Sequence, residues 1–325
     1  MKLPRRKFLQ LTAAAAAGPS LPRIAKAQSF PNRPIHLVVG FPAGSSTDIS
    51  ARILGPWLSE RLGQPVIIEN KPGAGTNIAA QTVVSAPADG YTLLWMTTAN
   101  TSNVSLYEKL TFNILRDIAP VAGVVSLPMV LEVNPSVPAR IIPEFIAYAK
   151  ANPDKINIAS NGVGSVSHLA GELFKAMTGV RMTHVPYRGS PPALADLLGG
   201  QVQATVDAVP ASLPHIRSGK LRALGVTTAS RSDVLPDVPS IGESVPGYAA
   251  SVWIGIGAPK DTPNAIIDQL NREVNAGLAN ARIKAQYAEL GNTTMPLTPA
   301  EYGAFMAAET EKWARVVRAA NIKME

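Results

Sequence analysis

Cysteine is absent from the 325-residue chain, so disulfides and thiolate metal sites are excluded. Beyond its first residues the chain also lacks a run of eighteen apolar residues, the length that a helix needs to cross a bilayer. Its four histidines, His36, His168, His184 and His215, do not fall in a metal-binding spacing such as H-E-x-x-H. The sequence therefore gives no support for a metal site, and we expect no cofactor.

Motifs of common catalytic sites are missing as well. The string nearest to a G-x-S-x-G nucleophile elbow, at residues 162–165, lacks the second glycine in register. The chain has no Gly-Lys-Ser/Thr triplet of a Walker loop and no dinucleotide fingerprint. We therefore do not expect an enzyme. A serine hydrolase that uses Ser165 or Ser46 with His168 or His184 stays open as an alternative.

Acidic residues are missing from the first 27 positions, which carry six of the 30 basic residues. Without that segment, 24 basic residues stand against 23 acidic ones, so the formal net charge falls from +7 to 24 − 23 = +1. The basic character thus belongs to the first segment and not to the body of the chain. Nucleic-acid binding, which requires a basic face, is not expected.

The first 27 residues have the features of an export signal. Arg5 and Arg6 resemble a twin-arginine motif, a short apolar run follows at residues 11–17, and Ala25-Lys26-Ala27 supplies the small residues of a cleavage site. We therefore expect a protein that is exported to the periplasm, with a mature chain that begins near Gln28.

Short apolar runs alternate with amphipathic helical patterns after the signal, which is typical of α/β layering with mostly parallel sheets. The alternation changes near residues 118–133, where two apolar runs are suited to carry the chain to a second lobe. A stretch rich in Pro, Gly and Ser at 233–248 is suited to be a loop that returns the chain to the first lobe. We predict that residues 28–126 and 250–325 form the first lobe and residues 127–249 the second.

Local signals predict particular helices. One helix is expected from about Asp48 to Leu62, ended by Gly63, with a kink or a break at Pro56. The C-terminal helix begins in a capping box and bears an apolar stripe that is broken only at Glu309. That stripe predicts packing onto a core.

Four loops rich in Gly, Ser and Thr follow predicted strands and open directly onto helices. They lie at residues 41–48, 70–77, 159–167 and 187–191. A helix start presents unpaired N–H groups and a partial positive charge, so it favours a carboxylate or a phosphate. Because such loops meet at the carboxyl ends of parallel strands, with two of them in each lobe, we predict an anion site between the lobes.

Two acids accompany these loops. Asp48 follows the first loop and is expected to cap or brace it through the N–H of Ser45. Asp207 ends a strand of the second lobe, and two interpretations of it stay open. It either has a structural role or contacts a cation, an amine or a hydroxyl of a ligand.

The same loops and their neighbours resemble the Bug family of periplasmic solute receptors, the binding components of tripartite tricarboxylate transporters. The segments that carry the resemblance are FPAGSSTD at 41–48, ENKPGAG at 69–75, PADGYTLL at 87–94, VPYRG at 185–189 and DVPS at 237–240. They are spread over essentially all of the mature chain, in the order found in the family.

The resemblance implies a two-lobed α/β periplasmic-binding-protein fold, type II-like, in which each lobe is a mostly parallel sheet flanked by helices. It also implies a monomer that closes on a small mono- or dicarboxylate and delivers it to membrane permease subunits. A soluble sensor that feeds a signalling partner stays open as an alternative. Carried over by motif, the expected ligand contacts are Phe41, Ala43, Gly44, Ser46, Thr47, Asp48, Asn77, Thr98, Ser160, Gly162, Gly164, Ser165, Val166, Tyr187 and Asp207.

Overall fold

A computed structural model describes residues 30–322, so the predicted export signal lies outside the described residues. Strands and helices alternate from the start of this range. The elements of the first part are β1 (Ile35–Val39), α1 (Ser46–Leu62), β2 (Val66–Asn70), α2 (Asn77–Val84), β3 (Thr92–Thr97), α3 (Thr98–Leu106) and α4 (Ile114–Asp117).

The alternation continues through the middle of the chain and ends in helices. The middle elements are β4 (Ile118–Val133), α5 (Ile142–Ala151), β5 (Asn157–Ser160), α6 (Val166–Thr178), β6 (Thr183–Pro186), α7 (Ser190–Leu198), β7 (Ala204–Ala208), α8 (Val209–Arg217) and β8 (Arg222–Val226). The last elements are β9 (Ser251–Pro259), α9 (Asn264–Ala279), α10 (Ala281–Glu289), β10 (Thr293–Thr294) and α11 (Pro299–Ala319). None of the helices within residues 30–322 is long and apolar enough to span a membrane.

The strands form two halves of one sheet in the order β2-β1-β3-β9-β4-β7-β5-β6, with β8 and β10 also on β4. In the first half, β1 pairs in parallel with β2 and β3, and in the second half, β5 pairs in parallel with β6 and β7. The antiparallel pairs involve β4 and β9. The mixed α/β, two-lobed prediction is confirmed.

Strand β4 joins the two halves. Its residues Ile118–Pro128 pair with β9 in the first lobe, and Met129–Val133 pair with β7 and β8 in the second. The two apolar runs expected at 118–133 are therefore one continuous strand, and the chain crosses between the lobes inside it. This crossing is a β-strand and not a loop.

A kink or a break was expected at Pro56, and the break does not occur, because helix α1 runs without interruption through this residue. Proline removes one helical hydrogen bond, which would leave the carbonyl of Arg52 unpaired. Both Pro56 and Arg52 are exposed, so water can satisfy that carbonyl. The predicted end of the helix is confirmed, because Gly63 follows it in the left-handed conformation with φ 68°.

The C-terminal helix packs against both lobes. Tyr302 and Met306, in its first half, belong to an apolar cluster of the first lobe. Trp313 and Val317, in its second half, belong to the cluster around Phe174 of the second lobe. The end of α11 therefore packs in the second lobe, although the sequence analysis assigned the whole of residues 250–325 to the first lobe. The lobe boundaries remain a prediction.

Candidate functional site

The loops that precede α1 and α6 have the same backbone geometry, although they belong to different lobes. Ser45 and Ser165 are the N-caps, with φ/ψ of −67°/158° and −64°/157°. Each cap hydroxyl accepts the N–H three residues further on, at 3.2 Å. Before each cap, a glycine adopts positive φ, 82° at Gly44 and 74° at Gly164. The two lobes thus present two copies of one helix-start motif, which we call the first and the second jaw (residues 41–48 and 161–168).

In each jaw a side chain four residues further on accepts the glycine N–H. Asp48 Oδ2 accepts from Gly44 at 2.8 Å, and His168 Nδ1 accepts from Gly164 at 3.1 Å. Asp48 braces the loop as expected, but the partner expected for it, the Ser45 N–H, was wrong. The Ser45 N–H is already bonded to a carbonyl of the loop itself, so the carboxylate reaches the preceding residue.

Asp48 is an ionised, buried brace of the first jaw. Its side chain is 2% exposed and also accepts from Arg52 Nε at 2.8 Å and from Asn70 Nδ2 at 2.9 Å. The hydrogen bond from Arg52 is the main cause that lowers the Asp48 pKa to about 2, against the opposing effect of burial. Asn70 in turn donates to the carbonyl of Phe41 at 3.0 Å, which fixes the start of the jaw.

His168 is the corresponding brace of the second jaw, with the opposite chemistry. Its ring stacks on His184 with centroids 3.7 Å apart, and its Nε2 lies 3.8 Å from Glu172. Burial, together with repulsion from His184 and Lys175, lowers the His168 pKa to about 3. The ring is therefore neutral at pH 7, and Nδ1 is free to accept from Gly164. In the first jaw the acid Asp48 is followed four residues later by the base Arg52. In the second jaw the order is reversed, because the base His168 is followed four residues later by the acid Glu172.

The serine–histidine contacts differ from those of the hydrolase alternative. Ser165 Oγ donates to the Gly162 carbonyl at 2.7 Å and bonds to neither imidazole ring. The hydroxyl that does contact a histidine is Ser160 Oγ, 2.6 Å from His184 Nε2. Ser160 is 1% exposed, so this hydroxyl is not presented to a substrate. The contact instead ties the end of β5 to β6.

Asp207 joins two loops of the second lobe. Its carboxylate accepts from Asn161 Nδ2 at 3.0 Å and from the Ser190 hydroxyl, and the residue is 1% exposed. These contacts favour the structural interpretation of Asp207. Tyr187, also predicted as a ligand contact, donates its hydroxyl to Asp196 at 2.6 Å, and burial raises the pKa of Tyr187 to about 12.

Two backbone N–H groups at each helix start remain without an acceptor. Within residues 30–322, no protein group accepts from the N–H groups of Ser46 and Thr47 in the first jaw, and the same holds for Val166 and Ser167 in the second. The next N–H in each helix is taken by the cap serine. Each jaw therefore offers two donors and the positive end of a helix.

A cavity of about 530 Å³ lies between the two jaws. Seven of the predicted contacts line it: Phe41, Ser46, Thr47, Thr98, Gly164, Ser165 and Val166. The other eight do not: Ala43, Gly44, Asp48, Asn77, Ser160, Gly162, Tyr187 and Asp207. Two of these eight hold a lining residue in place through the hydrogen bonds described above, because Gly162 accepts from Ser165 and Asp207 accepts from Asn161. Asn77 also does so, by accepting from Asn103, which lines the cavity.

The sequence analysis missed much of the apolar lining of the cavity. Leu127 and Met129 of β4 and Val252 of β9 line it, as do Leu106 and Tyr107 at the end of α3. Apolar residues of a strand predict burial without saying what covers them. The one available signal was position, because these strand residues lie where the chain was expected to cross between the lobes.

Comparisons with known proteins identify the family. The model of the tripartite tricarboxylate transporter family receptor matches residues 50–322. The chain belongs to this receptor family. Among its relatives, Protein BugT of Bordetella pertussis is 40% identical over 314 residues, which is 96% of either chain. The resemblance inferred from the loops is thereby confirmed.

Solved structures agree with the family and the fold. The receptor is 38% identical to the protein described as R. palustris Rpa4515 with adipate, with a TM-score of 0.77 over 91% of this chain and 100% of that one. It is 33% identical to MatC from Rhodopseudomonas palustris with bound malate, with a TM-score of 0.73 over 89% of this chain and 100% of that one. Among the residues that the structure describes, no group of three His, Asp or Glu side chains is arranged to hold a metal ion.

Proposed function

We propose that the receptor captures a small carboxylate between its two jaws in the periplasm and delivers it to the permease subunits of a tripartite tricarboxylate transporter. The observation that carries this proposal is the set of four unpaired N–H groups, two in each lobe, on residues that all line one cavity. The adipate and malate described for the two solved relatives support the same ligand class.

The cavity gives a carboxylate no cationic side chain. Arg52 is engaged by Asp48 behind the first jaw, and neither it nor Arg188 lines the cavity. Anion binding would therefore rest on main-chain donors, the helix dipoles and the hydroxyls of residues such as Ser46. Hydrogen bonds to a charged acceptor are about twice as strong as neutral ones, so these four donors favour a carboxylate over a neutral ligand.

Proline at position 166 tests the second jaw with little effect on the fold. Val166 is the first residue of α6, where proline is tolerated because its N–H has no helical partner. The preceding Ser165 already has the extended backbone that a following proline requires. Because Val166→Pro removes one unpaired donor, we expect carboxylate affinity in isothermal titration calorimetry to fall by about tenfold or more.

Ala281→Pro is the matched control. Ala281 is the first residue of α10, its cap Asn280 is extended, and the site is exposed and outside the cavity. This variant is expected to bind with unchanged affinity. The proposal fails if no aliphatic or aromatic acid binds the unmodified receptor, or if Val166→Pro binds an acid as tightly as Ala281→Pro does.

Export and delivery need a cellular test. We expect the receptor in the periplasmic fraction with a mass that corresponds to cleavage near Ala27, and we expect loss of the receptor to abolish uptake of the bound acid. Unchanged uptake in a strain that lacks the receptor, together with a lost transcriptional response to the acid, would favour the sensor alternative.

A further inference from the structure

Strands β4 and β9, which connect the lobes, carry a cavity on each face. Leu127 of β4 and Val252 of β9 line the cavity between the jaws, whereas Ser126, Pro128 and Ser251 line another cavity of about 370 Å³. Successive side chains of a strand point to opposite faces of the sheet. The second cavity therefore lies opposite the jaws, and we call it the rear cavity.

The pairing of the two strands supports this placement. The register between β4 and β9 is regular over residues 125–128, and it pairs Ser126 with Trp253, so these two side chains share the rear face. The indole N–H of Trp253 donates to Glu309 of α11 at 3.1 Å, and Glu309 also lines the rear cavity. This part of α11 therefore packs on the face of the strands that is turned away from the jaws.

Both lobes supply walls of the rear cavity. The loop after β8, residues 228–232, forms the wall from the second lobe. The wall from the first lobe includes Thr294 of β10, which pairs with β4, and Phe305 of α11, which packs on an apolar cluster of that lobe. A cavity with walls on both lobes changes its width whenever the lobes move relative to each other.

Small side chains on these walls leave the space unfilled. Ala229 and Ser230 lie on the second-lobe wall, Thr294 lies on the first-lobe wall, and Ala249 lies where the chain returns from the second lobe. A much larger side chain on one wall would fill the cavity and press on the opposite wall, because packed protein structure resists compression.

The two cavities respond to lobe movement in opposite ways. Because β4 and β9 lie between them, the lobes approach on one face of these strands only by separating on the other face. Closing the jaws on a ligand therefore widens the rear cavity, and opening the jaws narrows it. A group that fills the rear cavity opposes the opening of the jaws.

We propose that the rear cavity controls how readily the receptor opens. In the unmodified receptor, the small residues on its walls allow the walls to approach each other, so that the jaws open and release the ligand. Filling the rear cavity would hold the jaws closed. This inference rests on the proposed function, because it requires that the jaws close on a carboxylate.

Tryptophan placed on either wall tests the inference by calorimetry. Ala229→Trp fills the rear cavity from the second lobe, and Thr294→Trp fills it from the first. The probe is the acid that binds the unmodified receptor most tightly in a panel that includes malate and adipate. If about a tenth of the ligand-free receptor is closed, a shift to a mostly closed form tightens the apparent affinity by about tenfold. Ala285→Trp is the matched control, because Ala285 is exposed on α10 and lines neither cavity.

Small-angle X-ray scattering measures closure without a ligand. We expect the ligand-free radius of gyration of Ala229→Trp and of Thr294→Trp to be smaller than that of the unmodified receptor, and to change less when the acid is added. Ala285→Trp should give the same radii as the unmodified receptor. Circular dichroism shows which variants are folded, and misfolding of one variant leaves the other as the test, since the two tryptophans enter from opposite lobes.

The inference is overturned if a folded Ala229→Trp or Thr294→Trp receptor binds the acid no more tightly than Ala285→Trp does. It is also overturned if their ligand-free radii equal that of the unmodified receptor. Either result leaves carboxylate capture intact. The absence of binding by every acid to the unmodified receptor would instead overturn the proposed function, so the two failures are distinguishable.

Discussion

At the scale of single residues, the two jaws are held by side chains of opposite chemistry. Asp48 is a carboxylate whose pKa is lowered by Arg52, and His168 is an imidazole whose pKa is lowered mainly by burial. Each side chain accepts a hydrogen bond from a glycine N–H, which would otherwise be a further donor available to the ligand. The two jaws are therefore expected to respond to pH in different ranges, with the second jaw affected first as the pH falls.

His168 makes stability depend on pH below neutrality. Its folded-state pKa of about 3 lies below the ordinary value of 6.5, so its contribution is complete above pH 6.5 and is lost as the pH falls from there towards 3. His168→Asn keeps an acceptor for the Gly164 N–H but does not titrate. We expect thermal denaturation to show that the stability of the unmodified receptor relative to this variant falls between pH 7 and pH 5, by up to about 1.4 kcal/mol per pH unit.

The comparison with His168→Asn also removes the contributions of other groups. Burial raises the pKa of Glu132 to about 8, so its contribution has the opposite sign and is lost as the pH rises from 4.5 towards 8. Both proteins contain Glu132, so its contribution cancels, and the difference reports His168 together with its stacking partner His184, whose pKa is also lowered by burial. A difference that stays constant from pH 7 to pH 5 would contradict a neutral His168 in the folded receptor.

The residue types predicted where the two jaws lie, but they did not predict the hydrogen bonds inside each jaw. The Gly-Ser pairs at 44–45 and 164–165 predicted a turn and a cap before each helix, because few other residues adopt positive φ and cap so well. The role of His168 was not predictable, since the sequence does not show that this ring of helix α6 stacks on His184 of strand β6. The same limit applies to Asp207, whose partner Ser190 lies 17 residues earlier in the chain.

At the scale of elements, α11 holds the two lobes together around one buried carboxylate. Glu309 accepts from the indole N–H of Trp253 on β9 at 3.1 Å, from that of Trp313 on its own helix at 3.0 Å, and from Lys312. Lys312 also donates to the carbonyl of Ala249, on the segment that returns from the second lobe. The acidic residue that breaks the apolar stripe of the sequence is thus a hydrogen-bonding centre and not a packing defect.

Glu309→Leu is expected to destabilise the receptor although it completes the apolar stripe. The change leaves two buried indole N–H groups without an acceptor, at a cost of about 1–3 kcal/mol each. We expect the free energy of unfolding measured in urea to fall by about 2–5 kcal/mol. Glu311→Leu on the same helix is the control, because Glu311 is 72% exposed and its ion pair with Arg315 contributes little. Equal losses for the two variants would contradict the role assigned to Glu309.

The periodicity of the sequence predicted which helices and strands exist, but it did not predict where one element continues unbroken. The helix at 46–62 was predicted within two residues, because its cap and its terminal glycine are local signals. The unbroken strand β4 was divided in two by the sequence analysis, since Ser126 and Pro128 are poor strand residues. In the structure, Pro128 forms the last pair with β9, at the point where the partner strand changes, so its missing N–H interrupts no continuous ladder.

At the scale of the whole molecule, the jaws face each other across the cavity but belong to bodies connected by β4, by the return into β9 and by α11. A ligand that contacts both jaws gains interactions only when the lobes approach, so it should shift the population towards a closed form. The absence of cysteine from the chain makes this closure directly measurable, because introduced thiols have no competitors.

Ala43 and Val163 occupy equivalent places in the two jaws, and both are exposed. In the double variant Ala43→Cys/Val163→Cys, we expect mild oxidation to form an internal disulfide faster with a bound carboxylate ligand than without it, because a disulfide needs Cα atoms within about 7 Å. Non-reducing electrophoresis measures the rate. The pair Ile67→Cys/Val163→Cys, whose first thiol lies on β2 outside the cavity, should not respond to ligand. Equal rates with and without ligand in the first pair would mean that binding does not bring the jaws together.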